Sequence, residues 1–98
     1  MSYIYQYQTG LRLEFDTDYS VANIVSAIIK YEKPSGECGQ WTAAIGSDTI
    51  IYKNGFLATD LDEKGLWKLQ PVITNTDGKT IPCKIVEMRI YKALTCND

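Results

Sequence analysis

Few side chains in this 98-residue sequence are equipped for chemistry, and the types that are missing narrow the field. There is no histidine, so the usual general base of a serine or cysteine hydrolase is lacking. No Gly-x-Ser-x-Gly elbow, phosphate-binding loop or dinucleotide fingerprint occurs either. A carboxylate pair of the glycosidase kind would be sought at Asp60, Asp62 and Glu63, but a solvated acidic loop explains that cluster with fewer assumptions. Asp16 and Asp18 together with Asp60 and Asp62 would offer oxygen ligands to a calcium ion if their two loops met. Neither pair has the spacing of a calcium loop, and turn-forming aspartates account for them. We expect no enzyme here, with no catalytic residue, no cofactor and no metal.

Cys38, Cys83 and Cys96 are an odd number without Cys-x-x-Cys spacing, which predicts unpaired thiols. A Cys38–Cys83 bridge would need Cα atoms within about 7 Å. Trp41 and Trp67 have the flat faces that stack on sugars, which would make a carbohydrate-binding module, yet both fall at alternating strand positions where an indole fills a core. Tyr3, Tyr5 and Tyr7 recur at a spacing of two. On a strand they form one stripe of amphipathic rings, the residue type enriched in protein interfaces, and they are the candidate contact residues.

The elements that must carry these residues read as strands. Tyr-Ile-Tyr-Gln-Tyr-Gln at 3–8 suits an edge strand. Leu11, Leu13 and Phe15 alternate with Arg12 and Glu14, and the Asp- and Ser-rich stretch 16–20 turns the chain. The β-branched density of 23–32 favours a central strand over a helix. Further strands are expected at 41–45, 49–53, 66–73 and 81–91, with Gly36–Gly39, Asn54-Gly55 and Asp77-Gly78 at turns and 61–64 as a loop. Strands recurring every eight to twelve residues imply an all-β fold, a single antiparallel sandwich of about seven strands over 1–98.

Composition sets the outer bounds. Hydrophobic residues make up 45% and charged residues 22%, a globular balance. Ten basic against twelve acidic residues leave a net charge of −2, with no cationic excess to meet phosphates or an anionic bilayer. Nucleic acid and membrane are therefore not expected partners. The opening residues lack the basic and apolar regions of a signal peptide, which points to synthesis in a cytoplasm.

Two patterns carry a family resemblance. Leu61-x-x-x-Gly65-x-Trp67-x-Leu69 resembles the corner leading into the sixth strand of an immunoglobulin-type sandwich. Trp67 takes the corner aromatic's place, and Leu69 stands where antibody domains have a cysteine. A longer pattern runs from the strand at 11–15 through Ile28-Ile-Lys-Tyr-x-x-Pro34-x-Gly36 and Trp41-Thr-Ala to Asp62-x-x-Gly65-x-Trp67-x-Leu69-Gln70. It resembles the immunoglobulin-like domains of tailed-bacteriophage structural proteins, especially the N-terminal domain of the baseplate upper protein family. That resemblance implies a virion component, made in the host cytoplasm and held by other virion proteins in a homo-oligomeric or symmetric multi-copy arrangement. One domain without a following coiled coil implies a small accessory or adaptor subunit of tail, neck, baseplate or capsid surface.

Overall fold

In the computed structural model of the protein, which describes residues 3–94, strand alternation sorts side chains to an inner and an outer face. The strands are β1 (Ile4–Tyr5), β2 (Leu13–Asp16), β3 (Ile24–Glu32), β4 (Cys38–Ile45), β5 (Ile50–Lys53), β6 (Gly65–Asn75), β7 (Thr80–Pro82) and β8 (Val86–Tyr91). A 3-10 turn at Val21–Asn23, capped by the Ser20 hydroxyl, precedes β3. The fold is all-β, as the turn spacing indicates.

The strands form one curled sheet in the order β1-β8-β6-β3-β4-β5-β2, with β7 on β6. β4 makes the curl: its residues 38–43 pair with β3, while Ala44 and Ile45 pair with β5. The two layers facing each other across the core are thus continuous through one strand. β8-β6-β3-β4 make the longer-stranded layer, and β2 and β5 pair across from it. Phe15, Ile29, Trp41, Ala43, Ile51, Trp67, Leu69, Ile73, Met88 and Ile90 fill the space between. A register shift at Val25 brings both Ile24 and Ala27 inward despite their odd spacing.

Three expected strands differ from the structure. The stretch 3–8 pairs only at Ile4 and Tyr5, and it runs parallel to β8, the one parallel pairing among the described residues. The whole domain lies between these strands in sequence, so no hairpin dictates their direction. A turn then closes from the Gln8 amide to the Tyr5 carbonyl, with Tyr7 in the left-handed region at φ 65°. Residues 11 and 12 precede the pairing of β2, which begins at Leu13.

The third is 81–91, which divides into β7 and β8. Pro71, buried in the middle of β6, has no N–H to offer that flank. Its carbonyl accepts from Cys83 N–H at 2.8 Å, and the Gln70 side-chain amide donates to the Cys83 carbonyl at 3.0 Å. The ladder stops where the donor is missing and resumes at Val86 opposite Leu69.

Candidate functional site

Two aromatic groups stand at opposite fates in this fold. The first is buried. Tyr31, Trp41 and Trp67 project inward from β3, β4 and β6, with Trp41 and Trp67 stacked at 6.1 Å and Tyr31 4.7 Å from Trp41. Gly39, opposite Tyr31 in the ladder, leaves room for the phenol ring, which a Cβ there would strike. Phe56 closes the group edge-on against Trp41 at 5.0 Å. Trp67 is 0% exposed and Trp41 8%, so neither indole presents a face to a sugar.

The corner above this group is held by polar contacts. The Trp67 indole N–H donates to the Glu63 carbonyl at 3.0 Å, four residues upstream, and ties the ring to the turn before its own strand. Lys33, whose side chain is only 8% exposed, reaches Glu37 at 2.8 Å and Asp62 at 2.9 Å, with its ammonium 5.7 Å from the Trp67 ring centre. Hydrogen bonds to Glu37 and then Asp62 hold the Lys33 ammonium above the ordinary lysine range, against the opposing effect of burial. Glu63 accepts from the Ser35 amide at 3.2 Å and the Ser35 hydroxyl at 2.9 Å. Gly65, at φ 122°, packs where a Cβ would lie 2.8 Å from Pro34 Cγ. The two stretches singled out by resemblance, around Pro34 and around Gly65, therefore meet in space.

These contacts use up the acidic residues considered for catalysis. Asp62 and Glu63 are engaged with Lys33 and Ser35, and Asp60 accepts from the Leu57 amide at 2.7 Å. Asp16 accepts from the Asp18 amide at 3.0 Å. That bond and one from Thr49 lower its pKa. Among the described residues, no three His, Cys, Asp or Glu side chains gather as a metal site. Cys38 and Cys83 are separate thiols, the latter raised in pKa by burial and then by Asp18; Cys96 lies outside the described residues.

The second aromatic group is exposed. Tyr5 of β1 and Tyr3 just before it are exposed while Ile4 packs against the core, and Tyr91 of β8 lies opposite Tyr5 in the ladder. Tyr3 meets Tyr91 edge-on at 4.8 Å, and Tyr5 meets it tilted at 6.0 Å. Their exposures of 52%, 47% and 38% leave large ring faces in water. Leu66, outward on β6 beside Arg89, extends the same face. Tyr7 is exposed as well but sits in the turn after β1, its amide bonded to the Leu61 carbonyl.

Tyr91 was not among the candidates read from sequence, although the alternation that turned Met88 and Ile90 inward also turns it outward beside Arg89. Lys33 had a weaker signal: a lysine before Pro34 reads simply as a turn. No family model, no curated protein and no solved structure matches this chain.

Proposed function

We propose that this domain is a non-enzymatic structural subunit of a tailed-bacteriophage virion, binding neighbouring virion proteins through the outward face of β1 and β8. The observation carrying the contact reading is the Tyr3–Tyr5–Tyr91 cluster, in which the Tyr3 and Tyr5 rings both meet Tyr91 and all three are left in water, while Trp41, Trp67, Phe15 and Phe56 are buried. Tyrosine supplies wide apolar contact with a hydroxyl for the rim at low entropic cost, which suits a protein interface. The virion assignment rests on the sequence resemblance. A face used identically by many symmetric copies binds firmly even when each contact is weak.

A sugar-binding platform is the competing reading. The edge-on meeting of Tyr3 and Tyr91, at 90° between ring planes, favours protein contact over a flat saccharide shelf.

Mass spectrometry of virions purified from the source phage, with copy number scaled to the major capsid protein, tests the proposal. Presence in the particle at a fixed copy number is expected. Copies in the hundreds would indicate capsid or tail-tube decoration, and a dozen or fewer the neck or baseplate. Absence from particles would overturn the virion reading.

A further inference from the structure

The curled sheet leaves an open seam between β2 and the β7–β8 flank of β6, a groove of about 360 Å³. Leu13, Phe15, Pro71, Val86 and Met88 give it an apolar lining. β2 ends the strand order and pairs only with β5. Thr17 N–H donates to Thr49 O, which directs the backbone groups of the odd residues of β2 to β5 and turns those of Glu14 and Asp16 to the seam. In the immunoglobulin order, strand A neighbours B; here the described N-terminal strand pairs with β8, and among the described residues no strand pairs with the seam side of β2.

The charges around the seam select what can use that edge. Glu14, Asp16 and Asp18 line it from the β2 side and Glu87 from the other, against a single lining cation, Lys84. Arg12 offsets part of Glu14's charge at 2.9 Å from outside the groove. Two copies meeting through β2 would set carboxylates against carboxylates, which opposes pairing. A strand of opposite sign meets no such penalty.

We propose that β2 accepts a strand from another protein in which apolar residues alternate with lysine or arginine. Its apolar residues enter the groove beside Leu13 and Phe15, and its cations meet Glu14 and Asp16. Main-chain bonds supply the binding and the alternation supplies the selectivity. This deepens the protein-contact reading above, on which it rests, and uses a different face from the tyrosines.

The test is amide hydrogen exchange read by NMR, with capped decapeptide probes. An alternating Val-Lys decapeptide is expected to slow exchange at the Glu14 and Asp16 amides at least tenfold. Its Val-Glu counterpart, and a peptide of five valines followed by five lysines, are expected to leave them unchanged. Glu14→Pro removes a seam-facing donor without removing a β5 bond and should abolish the protection at Asp16. Should that variant fail to fold, Glu14→Lys is expected to weaken the Val-Lys probe tenfold and favour Val-Glu. The tyrosine triple variant Tyr3→Ser/Tyr5→Ser/Tyr91→Ser should keep the full effect. Unprotected Glu14 and Asp16, equal protection by the control peptides, or loss of protection in the tyrosine variant would each overturn the seam assignment. The particle measurement decides the virion reading separately.

Discussion

The corner at Lys33 and Trp67 and the patch at Tyr3, Tyr5 and Tyr91 are built from similar materials and put them to opposite use. In the corner, both indoles are buried and the indole N–H of Trp67, the ammonium and the acidic side chains of Glu37, Asp62 and Glu63 find partners inside the chain. In the patch, the rings touch one another and otherwise face water. Both groups draw aromatic rings from several strands, so residue type alone does not separate them. Position does: β6 lies mid-sheet and sends Trp67 between two layers, whereas β1 is the last strand and nothing in the described residues covers its outer face. A polar tip bound internally marks an aromatic serving the fold, and one left in solvent marks an aromatic available to a partner.

That contrast can be broken most severely at Trp67. Trp67→Ala removes the central ring and leaves the Glu63 carbonyl without its donor. A loss of about 3–5 kcal/mol is expected, a large share of the ~5–15 kcal/mol available to a domain. Urea unfolding measures it, and a loss under about 1 kcal/mol would deny the corner its anchoring role.

Lys33→Met is the intermediate case, because it keeps an apolar stem and deletes only the ammonium. Asp62 and Glu37 are 42% and 65% exposed, so water can replace the lost partner and the expected cost is about 1–2 kcal/mol. Its pH dependence has a definite sign. The folded protein holds the Lys33 proton more tightly than the unfolded chain, so the contribution is complete below the ordinary value of 10.5 and fades as pH rises through the higher folded value. Unfolding curves of wild type and variant should stay equally separated at neutral pH and converge in strong alkali. A gap that stays open through strong alkali would assign the stabilisation to something other than this ammonium.

The smallest stability effect is expected at the patch. Tyr3→Ser/Tyr5→Ser/Tyr91→Ser should lower stability by only about 1 kcal/mol, the worth of an exposed aromatic contact or two, while incorporation into particles falls at least tenfold. Thermal melting and particle-associated copy number read the two halves of that expectation. A severely destabilised variant would move the tyrosines into the class of the corner.

The fold was legible where alternation was strict. Leu13, Phe15, Trp41, Ala43, Trp67, Leu69, Met88 and Ile90 face inward as their spacing indicates. What escaped depended on partners distant in sequence. Pro71 interrupts a strand ten residues away by withholding a donor, and the Leu61 carbonyl takes up the Tyr7 amide just beyond the two-residue β1. Neither effect leaves a mark on the affected stretch itself. At the patch, a stripe of Tyr3, Tyr5 and Tyr7 was expected, but Tyr7 turns off into the left-handed region after β1 and the third ring is Tyr91, supplied by a parallel pairing that no local pattern announces. Lys33 was obscure for a related reason: a buried lysine is explained only by Asp62, brought across from a loop 29 positions on.

The parallel pairing of β1 with β8 also decides how the domain bears tension. Pulling on the chain from its two ends draws β1 backward and β8 forward along a common axis, so the rungs at Ile4–Ile90 and Tyr5–Tyr91, and the bond from Gln6 N–H to Tyr91 O, are loaded together in shear. An antiparallel pair at the same place would instead be peeled open one rung at a time. With only two residues in β1, that clamp is short, and its yield point is set by the few bonds that join the first described strand to the last.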